Sequence, residues 1–117
     1  MATKKLEALA LKGERLVGRL VHAKVTAKNA PFDVVDFTEG VAYEVKTVSN
    51  QALTGSNKIH IEHGAWSRKM AFLDEYGLQA ILMVVVITSR TEVSVYRTEL
   101  KQHLRISSVI KNGVKVS

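Results

Sequence analysis

Residues 78–88 read Leu-Gln-Ala-Ile-Leu-Met-Val-Val-Val-Ile-Thr, almost without polar interruption and rich in β-branched side chains. A strand with one face in water alternates apolar and polar residues, whereas a run like this one is a strand covered on both faces. Such a strand is central in its sheet and should be the most buried element of the chain. The apolar stretch 80–87 is far shorter than the roughly 20 residues that span a bilayer, which makes it a buried strand and not a membrane helix. A chain of 117 residues has room for one domain with a core of its own. Its 46% apolar and 24% charged residues, with one proline and seven glycines, are the balance of a folded globular protein.

Two segments read as amphipathic helices. Residues 3–21 place Leu6, Leu9, Ala10, Gly13, Leu16, Val17 and Leu20 on one stripe of an amphipathic helix. Gly13 weakens that helix by up to roughly 1 kcal/mol relative to alanine, so a close packing contact or a slight break is expected there. Residues 65–76 set Trp66, Met70 and Leu73 on a second stripe, stopped by Gly77 where a left-handed residue caps a helix end. Trp66 is expected in the core or at a dimer contact. Between the helices, residues 24–30 are polar and irregular, and Pro31 forbids helix. Residues 32–37 and 41–48 then read as the strands of an antiparallel hairpin turning at Thr38-Glu39-Gly40. Residues 49–57 have no period and predict a mobile loop, and 58–62 alternate as a short third strand. Beyond the central strand, 93–96 predict another strand and Thr98 a cap for a short helix to about Leu104. Asn112-Gly113 predicts a hairpin over 109–116. The expected order is α-β-β-β-α-β-β-α with a terminal hairpin.

Seventeen Lys and Arg against eleven Asp and Glu give a formal charge of +6, concentrated in the first 28 residues and after Arg97. A polyanionic partner and a solvated basic surface both fit that excess. The absence of cysteine excludes disulfides, thiolate metal sites and thiol nucleophiles together. No apolar signal stretch comes after Met-Ala-Thr-Lys-Lys, so a cytoplasmic location is expected.

The first hairpin carries the chemistry. If Glu39 and Gly40 are its loop, Thr38 faces Val41, Val35 faces Glu44 and Asp33 faces Lys46, and Asp33, Glu44 and Lys46 share one face. A loop one residue longer would turn Asp33 away and bring Asp36 in its place. Two carboxylates converging on a sheet repel, and burial raises the cost, so a cation between them is the natural relief. Magnesium suits oxygen ligands and keeps several waters, and a nearby lysine can hold or help deprotonate one of them. An amphipathic hairpin with an exposed Glu-Lys pair and an unrelated aspartate has the same spacing, and spacing alone leaves both readings open.

Pro31-Phe32-Asp33, joined after an interval by Glu44-Val45-Lys46 at the close of an apolar strand, resembles the PD-(D/E)XK motif of the restriction-endonuclease-like nuclease superfamily. The resemblance covers roughly residues 5–97. It implies a three-layer α/β fold with a mixed central sheet flanked by helices, built on an αβββαβ core. It further implies that Asp33 and Glu44 are metal ligands, that Val45 lends its carbonyl, and that Lys46 serves the nucleophilic water. Gly13-Glu14 is similar to the Gly-Glu found in the first helix of several members, which makes Glu14 a fourth catalytic candidate, with Glu7 competing for that place. In length and element order the chain most resembles archaeal and phage Holliday-junction resolvases. That resemblance implies a Mg²⁺-dependent endonuclease, with Mn²⁺ substituting, that acts on DNA as a homodimer. A non-specific DNase or RNase, or a nucleic-acid-binding module without catalysis, would share the fold.

Lys24, Lys28, Lys58, Arg68 and Lys69 are candidate phosphate contacts, with Arg97, Lys101 and Arg105 as further ones. Lys69 adjoins the apolar stripe of the second helix and so lies nearer the sheet than Arg68. His60 and His63 have a zinc-binding spacing only if helical, and the alternation of Ile59 and Ile61 argues for a strand instead. No phosphate-binding glycine loop, dinucleotide fingerprint or Ser-His-Asp arrangement is present.

Overall fold

The computed structural model describes residues 3–27, 29–49 and 58–117, with side chains from residue 8 onward. Its elements are α1 (Thr3–Val21), β1 (Lys24–Val25), β2 (Val34–Asp36), β3 (Val41–Ser49), β4 (Lys58–His60), α2 (His63–Tyr76), β5 (Gln79–Ile87), β6 (Val93–Glu99), β7 (His103–Arg105), α3 (Ile106–Asn112) and β8 (Val114–Lys115). Six strands form one sheet in the order β1-β2-β3-β5-β6-β8, and β4 pairs with β7 in a separate ribbon. Only β3 and β5 run parallel among the paired strands described, joined by a crossover that includes α2.

The apolar run behaves as its composition demands. Along β5, Leu82, Val84 and Val86 enter a core with Phe32, Ala42 and Val48 beneath α2 and α3. Ile81, Met83 and Val85 enter a second core with Val17, Val34 and Tyr43 beneath α1. Leu82, Val84 and Val85 are fully buried. The fold is thus α/β in three layers, a mixed central sheet flanked by helices. The αβββαβ order holds in the main sheet with one exchange. Its first strand is the two-residue β1, inside a stretch that reads as irregular, while the alternating segment at 58–60 leaves the main sheet for the β4–β7 ribbon.

Three other expectations give way. The hairpin pairs Asp36 with Val41, Val35 with Ala42 and Val34 with Tyr43, so its turn holds Phe37, Thr38, Glu39 and Gly40. The Asp36 carboxylate closes that turn by accepting the Glu39 N–H at 3.0 Å. Thr98 lies inside β6 and caps no helix; the third helix starts at Ile106. Asn112-Gly113 ends α3 and does not turn a hairpin, because the Gly113 N–H donates to the Val109 carbonyl at 2.7 Å as a helix-ending bond. Ser49, expected to open a loop over 49–57, closes β3, and residues 50–57 lie outside the described residues. Gly77 caps α2 in the left-handed region at φ 63, as its position predicts.

Candidate active site

The site grows from the point where β2 leaves β3. Their ladder ends at Val34 and Tyr43, although β3 continues to Ser49. Successive residues of a strand direct their backbone polar groups to opposite edges, so Tyr43 and Val45 face the same side. Tyr43 finds a partner there, its carbonyl accepting the Asp33 N–H at 3.1 Å. Beyond the last pair the Asp33 side chain takes the partner's role, and Oδ2 accepts the Val45 N–H at 2.8 Å. Thr26 fixes this segment from the other side. Its N–H donates to the Asp33 carbonyl at 2.9 Å, and its hydroxyl donates to the carbonyls of Phe32 and Asp33.

The register is shifted by two residues from the expected one, and a shift of two preserves the face of every side chain. Asp33 therefore still meets Glu44, and Asp36 is occupied in the turn. Glu44 and Lys46 point toward the α2 layer, the side to which Ala42 and Val48 contribute. There Glu44 Oε1 accepts a hydrogen bond from Lys69 Nζ at 2.9 Å. Lys69 also donates to the Pro31 carbonyl and stands 4.6 Å from the centroid of the Phe32 ring. One ammonium thus ties the bend before Asp33 to the strand that carries Glu44. At 9% exposure Lys69 is the buried charged residue of the described chain.

Glu14 reaches the same edge from the opposite layer. What permits it is Gly13, where a Cβ would come within 1.7 Å of Thr47 Oγ1. Only a bare Cα lets α1 descend this far onto β3, so the expected close contact is the one formed. Thr47 Oγ1 is buried against it without a hydrogen-bond partner. The Glu14 carboxyl is pushed from its ordinary 4.5 up to about 7 by burial, by a hydrogen bond shared with Asp33, and by the charges of Asp33 and Glu44. The Glu44 carboxyl is also raised, first by burial and then by Asp33, with Lys69 and Lys46 pulling the other way. Three acids accordingly feel one another across the sheet edge, and Lys46, exposed at its rim, stands close enough to act on Glu44.

The remaining candidates are dispersed. Arg68 is exposed and, with Asn29, Ala30, Pro31 and Lys69, lines a cleft of about 330 Å³ beside the site. Lys24 is exposed on β1, in a groove with Arg15, Arg19 and His22. Lys58 is exposed on β4. Lys28 lies outside the described residues, as does the side chain of Glu7. Lys69, suggested by sequence as a phosphate contact, is instead turned inward onto Glu44, because its stem emerges on the buried stripe between Trp66 and Leu73. His60 approaches His103 and not His63. Trp66 packs against the α2-side core. The Lys69–Glu44 pair is the feature of the candidate site that the sequence does not reveal, and a lysine beside an apolar stripe is its only visible signal.

No family model matches the chain, and no curated protein sequence does. Among solved structures the chain is similar to Hjc of Archaeoglobus fulgidus, a Holliday junction resolvase from an archaeal hyperthermophile. The superposition has a TM-score of 0.57 with 18% sequence identity, covering 92% of this chain and 91% of that one. A likeness of this kind is one of fold, and it extends over nearly the whole of both chains.

Proposed function

We propose that the chain is a metal-dependent endonuclease hydrolysing phosphodiester bonds of DNA, with a Holliday junction or another branched molecule as substrate and a homodimer as the working form. The observation that carries this reading is the meeting of Glu14, Asp33 and Glu44 at the open edge of β3, with Lys46 beside Glu44. Carboxylates driven together in partly buried surroundings are mutually repelling, and a divalent cation is the group that reconciles them. The full-length likeness to a Holliday junction resolvase supports the choice of substrate class, and the chain's net charge of +6 supports a polyanion.

The donor set suits a hard cation, since it offers oxygen and no sulfur. Among the described residues no group of three or more Asp, Glu, His or Cys side chains is placed to hold a metal ion. Magnesium needs no such group, because it characteristically takes one or two carboxylates and completes its shell with water. Asp33 and Glu44 would hold the ion with the Val45 carbonyl, and Mn²⁺ would substitute. When bound, it would neutralise charge on the phosphate and make a water more acidic. Lys46 would hold the attacking water through its ammonium, and Lys69 would keep Glu44 in place.

A second reading is a nucleic-acid-binding module without catalysis, and the Lys69–Glu44 pair favours it to the extent that one acid already has a cation. The two separate on incubation with linear, single-stranded and four-way-junction DNA, and with RNA, with and without Mg²⁺ or Mn²⁺. The nuclease reading expects cleavage only with metal, and its loss in Asp33→Ala, Glu44→Ala and Lys46→Ala while folding and DNA affinity persist. Binding without cleavage under every divalent ion would leave the module, and cleavage confined to RNA would make the chain a ribonuclease.

A further inference from the structure

The β4–β7 ribbon presents a wholly basic outer face. Pairing sets Lys58 opposite Arg105 and His60 opposite His103. Side chains alternate along a strand, so these four share one face while Ile59 and Leu104 share the other. Ile59 and Leu104 pack against the α2-side core, and all four basic residues are exposed. At the foot of the ribbon the Ile61 N–H donates to the Gln102 carbonyl and Gln102 Nε2 donates to the Ile61 carbonyl, each at 3.0 Å. The basic face is thus fixed to the domain at its back, and its two strands are tied to each other at its base. Neither strand carries an acidic residue.

One feature of this face is unfavourable unless something negative lies over it. Like charges directly opposite one another destabilise a strand pair, yet Lys58 and Arg105 are so placed. Between them and the ribbon's end, the imidazoles of His60 and His103 stack with centroids 4.5 Å apart and their Nδ1 atoms at 2.7 Å. A contact that short between ring nitrogens holds one proton, so one ring donates and the other accepts. In the neutral pair the accepting ring carries its own proton on Nε2, on the side of the ring away from the shared bond. The ribbon therefore combines a ring N–H donor with two fixed cations around a groove of about 420 Å³.

We propose that this face is a phosphate cradle, in which Lys58, Arg105 and the His60–His103 pair grip the sugar–phosphate backbone of duplex DNA at a second contact separate from the acidic site. It rests on the nuclease reading for the identity of the polyanion. β4 runs almost directly into α2, the helix from which Arg68 lines the cleft beside the acidic site. The ribbon and the site are accordingly held by one continuous segment.

The test is anisotropy of a short labelled DNA duplex in EDTA over a series of salt concentrations, where cleavage makes no contribution. Each phosphate contact contributes about 0.9 to the slope of log affinity against log salt. Lys58→Gln/Arg105→Gln is expected to weaken binding roughly tenfold or more and to flatten the slope by about 2. His60→Phe/His103→Phe keeps a ring stack and removes the ring N–H groups, and is expected to weaken binding severalfold with less change of slope. Arg90→Gln/Lys115→Gln removes the same charge elsewhere and serves as the matched control. Equal losses in control and ribbon variants, ribbon variants that bind like the wild type, or a wild type that binds no DNA would each overturn the cradle. So would a change of sedimentation confined to the ribbon variants, which would make the face a contact between copies of the chain. A wild type that binds through the ribbon but cuts nothing would remove the nuclease reading and leave the cradle standing. Cleavage of DNA untouched by ribbon substitution would do the reverse.

Discussion

Lys69 is the side chain on which the two halves of the acidic site depend, because it bonds to the Pro31 carbonyl in the bend before β2 and to Glu44 on β3. Removing one member of a buried pair leaves the other charge desolvated. Glu44 retains 25% exposure, which limits the loss. Lys69→Met is expected to lower stability by about 1–3 kcal/mol in urea unfolding, and Lys69→Arg to recover part of it. Glu14 gives a pH signature of opposite origin. Its folded-state value of about 7 lies above the ordinary 4.5, so the folded chain holds that proton more tightly than the unfolded one. Its contribution to stability is complete below about 4.5 and is lost as pH rises through about 7. The melting temperature of the wild type should therefore fall between pH 5 and pH 8 relative to that of Glu14→Gln. Parallel profiles for the two would show that Glu14 is not held among the acids. At this scale the sequence names Asp33, Glu44, Lys46 and Glu14 as neighbours. It does not name the partner of Lys69, since nothing local reveals which acid a stripe lysine meets across a sheet.

Between elements, close approach decides more than propensity does. The descent of α1 onto β3 at Gly13 and Thr47 delivers Glu14. Gly13→Ala improves intrinsic helicity by up to roughly 1 kcal/mol but forces the helix outward. We expect net destabilisation of about 1–3 kcal/mol by urea unfolding, as for overpacked cores. In the same variant the pH-dependent stability difference from Glu14 should shrink. Gly113 shows the same principle where the sequence misleads. Asn-Gly is the pattern of a tight hairpin, yet Gly113 adopts φ −74. A Cβ there would stand 2.4 Å from the Val109 carbonyl oxygen and 3.0 Å from that of Arg97. Glycine is required by two backbones, and no turn is involved. The hairpin register departs from its expected place for a related reason: the Asp36 carboxylate closes a four-residue turn that strand patterning does not reveal. Parity is unchanged by that departure, and parity is what aligns the acids.

Across the whole molecule, β5 organises both cores, and its apolar run is the most legible feature of the chain. Leu82, fully buried on the α2 side, should cost about 2–5 kcal/mol on replacement by alanine, read by urea unfolding. Less legible is the fate of short segments such as β1, β4 and β7, whose pairing depends on distant partners more than on their own pattern. Among the described residues no helix is long and apolar enough to cross a membrane.

The parallel union of β3 with β5 also sets an order of assembly. Antiparallel neighbours can meet through a short turn, whereas a parallel pair must wait for the whole crossover between them. During synthesis the hairpin bearing Asp33 and Glu44 emerges early, but its central partner arrives only after Gly77. A fragment ending at Gly77 should contain every acid of the site and yet lack a lasting tertiary structure, visible as poor dispersion in its NMR spectrum. Completion of the acidic site, on this view, is withheld from the nascent chain until the core strand has been made.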